Sequence, residues 1–161
     1  MSLAKILTLD AVAERLAELR ATGVRIVQCH GCFDLMHIGH IKHLQAAKRM
    51  GDTLVVTVTA DEYVAKGAGR PVFGESLRAE ALAALECVDF VAINAGPTAV
   101  EAIRLLRPDY YVKGQAYAMP SARSERLRAE IAAVHDVGGE IRFTNEIVFS
   151  STALLNARPR D

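Results

Sequence analysis

The sequence predicts an α/β protein in which five parallel strands form a doubly wound sheet. Short apolar runs rich in β-branched residues recur along the chain, and such runs are typical of strands covered on both faces. Segments with apolar residues three or four positions apart lie between these runs and are long enough to be crossover helices. Alternation of this kind predicts a parallel sheet, whose ligands bind beyond the carboxyl ends of its strands.

The individual elements follow from the same patterns. Strands are predicted at residues 24–29, 53–59, 88–93, 109–112 and 140–144. Helices are predicted at residues 9–20, 38–50, 75–86, 97–106 and 120–137, with a short one from residue 151. Pro97 fits the first position of a helix, and Gly138 fits the position just after one. We interpret residues 1–23 as an N-terminal helical extension, a lid or edge helix, of a single domain that spans 1–161.

Composition narrows the classes of function. The 161 residues are 51% hydrophobic, which suffices for an ordinary core, and the 19 basic and 19 acidic side chains cancel. A balanced charge argues against nucleic acid or an anionic membrane as a partner. The first residues lack the pattern of a signal peptide and no apolar run is long enough to span a bilayer, so a cytoplasmic protein is expected. The three cysteines are expected to be reduced.

Four of the five histidines lie between positions 30 and 43, in the loop after the first predicted strand and at the start of the next helix. His37 and His40 are three positions apart, so they project from one side of the helix start and can hold one ligand together. Amide groups at a helix start can also face an anion. His30 and His43 are expected to support this pair or to be exposed. Neighbours that favour a ligand site over simple helix capping are Gly31, Phe33, Asp34 and Gly39.

A metal site is the alternative interpretation of this stretch. Cys29 and Cys32 have CxxC spacing and, with the nearby histidines, could bind a soft metal or carry out thiol redox chemistry. Adjacent side chains of a strand point to opposite faces, however, and no second cysteine pair completes a zinc ribbon. We therefore expect no metal site built by the protein.

Several motifs in order along the chain resemble those of one enzyme family. The motifs are GCFDLMHIGHIKHLQAAKRMGDTLVVTVTADEYV, KGAGRPVF, LRAEALAALECVDFV, PTAVEAIRLLRPDYYVKG and FSSTALL. Together they resemble the HxGH nucleotidyltransferases, the cytidylyltransferase-like family, over most of the chain after residue 24. The resemblance implies a Rossmann-like nucleotidyltransferase fold. Within the family, the chain looks most similar to the adenylyltransferase domain of ADP-heptose synthase.

The resemblance also implies a reaction and roles for residues. The family joins a nucleoside triphosphate to a phosphorylated sugar or alcohol and releases pyrophosphate, and Mg²⁺ is expected to arrive with the triphosphate. Catalytic roles are implied for His37, His40 and Lys66. Nucleotide-binding roles are implied for Gly31, Cys32, Phe33, Gly39, Lys113, Gly114, Ser150, Ser151 and Thr152. Acceptor-binding roles are implied for Asp34, Asp61, Arg70 and Arg78.

Departures from the family pattern bear on the substrates. The heptose-type pattern KGxDY reads KGQAY here, so that Ala116 replaces an expected acid. Asn145 and Glu146 stand where glycerol-phosphate enzymes carry an arginine, which weakens the cytidylyltransferase interpretation. ATP and a sugar phosphate such as heptose 1-phosphate are therefore favoured over CTP and an alcohol phosphate, which would yield a CDP-alcohol such as CDP-glycerol. An alternative of another class is a non-catalytic nucleotide-binding domain of a split kinase and transferase system. The chain could also form a homodimer.

Overall fold

The computed structural model describes residues 2–146 and 150–157, and it contains the predicted doubly wound sheet. Five strands, all parallel, lie in the order β3-β2-β1-β4-β5. The strands are β1 (Ile26–Gly31), β2 (Thr53–Thr59), β3 (Phe90–Asn94), β4 (Tyr110–Lys113) and β5 (Glu140–Phe143). The predicted fold class is therefore confirmed.

Helices cover both faces of the sheet. They are α1 (Leu9–Arg20), α2 (Ile38–Lys48), α3 (Glu75–Ala83), α4 (Val100–Leu106), α5 (Glu125–Asp136) and α6 (Ser151–Asn156). Because side chains alternate along a strand, Val27 and Val56 pack under α2 and α3, whereas Ile26 and Tyr111 lie on the face that α1, α4 and α5 cover. No helix in the described part of the chain is both long and apolar enough to cross a membrane.

The order of the strands reverses at β1. The chain first steps from β1 to β2 and β3, and α4 then leads back across the sheet to β4 on the other side of β1. The carboxyl ends of β1 and β4, at Gly31 and Lys113, therefore adjoin. A doubly wound sheet binds its ligands in the crevice at such a reversal.

Some predicted boundaries are wrong. β1 begins two residues later than predicted because it pairs with β2 from Ile26↔Thr53 to Gly31↔Val58, so Gly31 ends the strand instead of opening a loop. α4 begins at Val100 and not at Pro97. The Asn94 side chain donates to the carbonyl oxygens of Gly96 and Thr98, and these bonds hold the preceding segment as a loop.

The start of α5 is also later than predicted. Pro120–Ala122 forms a separate 3-10 turn, and α5 begins at Glu125. Ser124 stands at the N-cap, where its Oγ accepts a hydrogen bond from the Leu127 amide (3.2 Å). A hydroxyl that satisfies a free amide of the first turn starts a helix more strongly than a proline four residues earlier.

α1 is part of the core, so the expectation of a lid is wrong. Val12 and Leu16 are fully buried against β1, β2 and α4. Ahead of α1, the Leu7 amide donates to the Val91 carbonyl (3.0 Å), so this segment runs beside the edge strand β3. The sequence shows the apolar stripe of α1 but not the surface that this stripe covers.

Candidate active site

Two clefts open beyond the carboxyl ends of the strands. The first has a volume of about 360 Å³ and lies between the start of α2 and the loop after β4. The second has a volume of about 520 Å³ and lies between the loop after β2 and the start of α5. The described residues that line both clefts, which we call the seam, are His30, Gly31, Cys32, Lys66, Lys113 and Tyr117.

The predicted histidine pair lines the first cleft. His37 is the N-cap of α2, where its Nδ1 accepts a hydrogen bond from the Gly39 amide (3.1 Å). His40 Nδ1 accepts one from the His37 amide (3.3 Å), and the two rings stack with their centroids 4.0 Å apart. The start of the helix therefore fixes the orientation of both rings.

Both imidazoles are neutral near pH 7. A ring nitrogen that accepts a hydrogen bond from an amide carries no hydrogen, so the hydrogen of each neutral ring is on Nε2. Burial and the charge of Lys66 lower the pKa of His37. Burial, His37 and Lys66 lower the pKa of His40 to about 4. The pair thus carries two neutral Nε2–H groups side by side, of which that of His37 is buried.

The loop after β1 packs tightly behind this pair. Phe33 and Leu35 have left-handed backbones (φ 52° and 57°), a conformation that costs about 1–2 kcal/mol in a residue with a side chain. The Phe33 ring meets His40 edge-on, with the centroids 5.5 Å apart. A Cβ at Gly31 would come within 3.1 Å of the Phe33 ring. Gly31 therefore permits the packing that supports His40.

The seam carries two lysines. Lys113 is half-buried, its Nζ donates to the His30 carbonyl (3.3 Å), and it lies over the Tyr117 ring (5.3 Å). Burial lowers the pKa of Lys113, and it forms no ion pair with a carboxylate of the described residues. Lys66 is exposed in the loop after β2. A Cβ on Gly114, which follows Lys113, would meet no protein atom, so it would occupy space that belongs to the cleft or to solvent.

The far end of the first cleft contains polar residues to which the sequence analysis gave no ligand-binding role. His43 and Thr144 share a 2.7 Å hydrogen bond, and Gln115 Nε2 donates to the Glu146 carbonyl (2.7 Å). Burial lowers the pKa of His43 to about 4. One signal was available, because Gln115 follows β4 and Thr144 follows β5, at the edge of the sheet where ligands bind.

The predicted acceptor residues Asp34 and Arg70 form a buried ion pair and do not appear in the described lining of either cleft. Asp34 accepts hydrogen bonds from Arg70 Nε (2.6 Å) and from the amides of Val72 (2.9 Å) and Phe73 (3.1 Å). Burial by itself would raise the pKa of Asp34, but these hydrogen bonds outweigh it and lower the pKa. The pair pins the loop after β2 to the loop after β1, so the geometry supports a positioning role.

Arg78 and Asp61 also stand apart from the described lining of the clefts. The Arg78 side chain is 1% exposed and its Nη2 pairs with Asp61 Oδ1 at 2.7 Å. Its other nitrogens donate to the carbonyls of Cys32 (2.7 Å) and Phe73 (2.9 Å). Each of the three guanidinium nitrogens therefore donates to a protein oxygen, and these bonds join α3 to the loops after β1 and β2.

The remaining predicted nucleotide residues fall into two groups. Those that line the first cleft are Gly31, Cys32, Phe33, Gly39, Lys113 and Gly114. Ser150 is the N-cap of α6, where its Oγ accepts from the Ala153 amide (3.3 Å). The side chains of Ser151 and Thr152 lie outside the described part of the structure, so their role stays a prediction.

The cysteines bear on the metal alternative. Cys29 is fully buried, and burial raises the pKa of its thiol to about 12. It is therefore a thiol and not a thiolate near pH 7, whereas metal binding and thiol exchange need the thiolate. Within the described residues no group of three histidine, cysteine or acidic side chains is placed to hold a metal ion.

The second cleft also contains residues for which the sequence predicts no catalytic or ligand-binding role. They are Thr59, Tyr63, Val64, Ala65, Ser124, Arg126, Leu127 and Glu130. Each oxygen of the Glu130 carboxylate accepts a hydrogen bond, one from the Ala99 amide and one from the Tyr111 hydroxyl (both 3.0 Å). At the seam, His30 contacts Thr57 Oγ1 (3.0 Å) and Thr59 Oγ1 (3.4 Å). Burial and the charge of Lys113 lower the pKa of His30 to about 3.

A doubly wound sheet with a histidine-lined cleft at its strand reversal defines a Rossmann-like ligand-binding domain. Residues 28–157 match the family model described as cytidylyltransferase-like. The chain therefore belongs to the cytidylyltransferase-like family, which places it among the nucleotidyltransferases, and the predicted family resemblance is confirmed.

Several relatives are known by name. The bifunctional protein HldE of Geotalea uraniireducens is 48% identical over 116 residues, which cover 71% of this chain and 24% of that protein. The HldE of Syntrophotalea carbinolica is 36% identical over 159 residues, which cover 98% of this chain and 31% of that protein. The chain thus spans about a quarter to a third of the length of these relatives. The crystal structure of the lipopolysaccharide core biosynthesis protein from Thermoplasma volcanium GSS1 matches with a TM-score of 0.60 at 25% identity, covering 79% of this chain and 99% of that one.

Proposed function

We propose that this chain is a nucleotidyltransferase that joins ATP to a sugar phosphate such as heptose 1-phosphate and releases pyrophosphate. The stacked, neutral pair of His37 and His40 carries the proposal, because it lines one cleft that continues through the seam into a second. Capping of α2 uses only the Nδ1 atoms, so it is compatible with donation from Nε2 to a ligand. A reaction between two phosphate compounds needs two adjoining binding spaces of this kind.

The chemistry requires hydrogen-bond donors and positive charge. A phosphate monoester has a second pKa of about 6, so its attacking oxygen is already anionic near pH 7 and no general base is needed. Attack forms a bond from this oxygen to the α-phosphorus and breaks the bond from the α-phosphorus to the bridging oxygen of pyrophosphate, onto which negative charge moves. Donors that are oriented before the reaction stabilise this charge.

His37 and His40 are the proposed donors to the triphosphate. Their hydrogen bonds strengthen as negative charge develops on the leaving group, and the loss of one such donor costs about 3 kcal/mol of transition-state stabilisation. Lys66 and Lys113 supply positive charge at the seam. Mg²⁺ is proposed to arrive on the triphosphate, where it neutralises phosphate charge. Glu146, whose Oε1 also pairs with Arg49 Nη2 at 3.4 Å, is the one carboxylate in the described lining of the first cleft, and one carboxylate with the phosphates is typical of Mg²⁺ binding.

The choice of ATP and of a heptose-type acceptor is supported by the relatives named HldE and by the similarity to the adenylyltransferase domain of ADP-heptose synthase. The departure at Ala116 lies in the first cleft, so it bears on the nucleotide more directly than on the acceptor. A cytidylyltransferase that makes a CDP-alcohol is the second candidate. A homodimer and a cytoplasmic location stay predictions.

Pyrophosphate release tests the proposal. The purified chain is assayed with Mg²⁺ and ATP, CTP, GTP or UTP against heptose 1-phosphate, glycerol 3-phosphate and other sugar and alcohol phosphates. We expect release that requires ATP and a sugar phosphate. Release that requires CTP and an alcohol phosphate would establish the second candidate. A folded chain that binds nucleotide in calorimetry but releases no pyrophosphate would favour the non-catalytic domain.

A His37→Ala variant separates an enzyme from a binding domain. In an enzyme, kcat falls about a hundredfold or more while nucleotide affinity changes far less, because the donor acts mainly in the transition state. His135→Ala is the matched control, since His135 is exposed on α5 and outside the described lining of both clefts. A loss of nucleotide affinity as large as the loss of rate would contradict the catalytic role.

A further inference from the structure

We infer that the second cleft binds the acceptor phosphate and that Arg126, in the first turn of α5, selects a phosphate monoester dianion there. This inference rests on the proposed function and goes beyond it by naming the acceptor site. The residues that the sequence suggested for this task are engaged elsewhere, since Asp34 pairs with Arg70 and Arg78 pairs with Asp61. The second cleft offers another set of cations for the acceptor.

The charge of the second cleft fits a dianion. Its described lining contains three cations, Lys66, Lys113 and Arg126, and one carboxylate, Glu130. Burial keeps His30 neutral. Glu130 is 2% exposed and both of its oxygens accept hydrogen bonds from protein groups. The surplus of two positive charges balances the two negative charges of a phosphate monoester above its second pKa of about 6. Two of the three cations, Lys66 and Lys113, also line the first cleft.

The position of Arg126 suits this task. Arg126 and Glu130 are four positions apart on α5, so they share the face of the helix that lines the cleft. The Arg126 side chain is exposed and makes no hydrogen bond or ion pair with a described residue. Its positive charge nevertheless acts on residues of the seam, because it contributes to lowering the pKa values of His30 and Lys113.

The chemistry of arginine and lysine assigns Arg126 and Lys66 to different oxygens of the acceptor phosphate. A guanidinium can donate two parallel hydrogen bonds to two oxygens of one phosphate, which a lysine cannot do. Arg126 therefore holds the non-reacting oxygens of the acceptor phosphate, while Lys66, which lines both clefts, lies beside the reacting one. This arrangement points the third oxygen at the α-phosphorus across the seam. Arg126 would act on the acceptor and not on the nucleotide.

Steady-state kinetics on the full chain test the inference. For Arg126→Ala we expect the KM for the acceptor phosphate to rise about tenfold to a hundredfold, because charge-assisted hydrogen bonds are lost. The KM for the nucleotide should change by less than about twofold. Arg126→Lys keeps the positive charge but cannot donate two parallel hydrogen bonds, so its KM for the acceptor should lie between those of the wild type and Arg126→Ala. Arg128→Ala is the matched control, since Arg128 lies two residues further along α5, is exposed, and does not line either cleft in the described structure.

Calorimetry with heptose 1-phosphate and glycerol 3-phosphate in the absence of nucleotide separates this inference from the proposed function. If the wild type releases pyrophosphate but Arg126→Ala and Arg128→Ala have the same acceptor KM, the inference is overturned and the proposed function stands. If the wild type releases none but binds one of these phosphates in an Arg126-dependent manner, the site stands without the proposed function. If it neither reacts with nor binds any of them, both are overturned. An equal rise in the KM for nucleotide would also overturn the inference.

Discussion

The protonation of His37 and His40 is decided by contacts within a single helical turn. Each Nδ1 accepts a hydrogen bond from an amide, which places the hydrogen of the neutral ring on Nε2. The sequence shows the two residues and their spacing, but the tautomer depends on the extended backbone of His37 at the N-cap (φ −133°, ψ 176°). A conformation of that kind is known only from the folded chain.

A glutamine at position 40 tests the role of a neutral donor. Its amide can present an N–H close to the place of the imidazole Nε2–H, so His40→Gln should keep a kcat about tenfold above that of His40→Ala. Both variants should remain below the wild type in pyrophosphate release at saturating substrates. Equal rates of the two variants would show that a neutral donor at this position is not what matters.

His30 predicts a pH dependence of stability. Its folded pKa of about 3 lies below the ordinary value of 6.5, so between these values the unfolded state binds a proton that the folded state does not. The free energy of unfolding therefore falls as the pH falls from about 6.5 toward about 3, and the contribution of His30 is fully present above about 6.5.

Urea unfolding at pH 7.5 and pH 5.0 measures this contribution. When the pH is lowered from about 7.5 to about 5.0, the free energy of unfolding of the wild type should fall by on the order of 1–2 kcal/mol more than that of His30→Gln. The free energy of unfolding of His135→Gln, a substitution at an exposed position, should fall by as much as that of the wild type. A His30→Gln variant with the wild-type pH dependence would refute the assignment.

At the scale of the elements, two ion pairs hold the loops that shape the clefts, one buried on both sides and one between buried Arg78 and exposed Asp61. Asp34 with Arg70 and Arg78 with Asp61 join the loop after β1 to the loop after β2 and to α3. The family pattern indicates that these positions matter, and the burial of Asp34, Arg70 and Arg78 supports a role in positioning the loops. The acceptor-binding role of these four residues stays a prediction.

Arg78→Ala tests the strength of this connection. The variant leaves the Cys32 and Phe73 carbonyls without their donor, so the free energy of unfolding in urea should fall by about 3 kcal/mol. Arg78→Lys keeps the positive charge, so its free energy of unfolding should fall by less than that of Arg78→Ala. Arg104→Ala, which breaks an exposed pair with Glu101 on α4, should change stability by less than about 1 kcal/mol. A similar small effect for Arg78→Ala would contradict the positioning role.

At the scale of the whole molecule, α1 and the sheet share one apolar cluster. Val12 and Leu16 of α1 pack with Ile26, Val55 and Leu106 from two strands and α4. The segment before residue 24 is therefore not an appendage, although the family model begins at residue 28. Stability and the geometry of the sheet under the clefts depend on it.

Leu16→Ala measures this dependence. Leu16 is fully buried, so its truncation should lower the free energy of unfolding by about 2–5 kcal/mol through lost burial and a cavity. Leu3→Ala is the control at a 63% exposed position and should change stability by less than about 0.5 kcal/mol. If Leu16→Ala were as mild as Leu3→Ala, α1 would not belong to the core of the folded chain.

The amino-acid sequence by itself determined the fold class, the bounds of α1 and β2, and the position of the histidine pair at a helix start after β1. These features depend on periodicity and capping among near neighbours, which a sequence displays directly. The tertiary structure decided which side chains share a cleft, because that requires residues far apart in the chain. His43 and Thr144, which line the first cleft, are 101 positions apart, and Asp34 and Arg70, which pair outside the described lining of both clefts, are 36 apart. Arg126 and Glu130 could be assigned to a cleft only once the register of α5 against β4 was known.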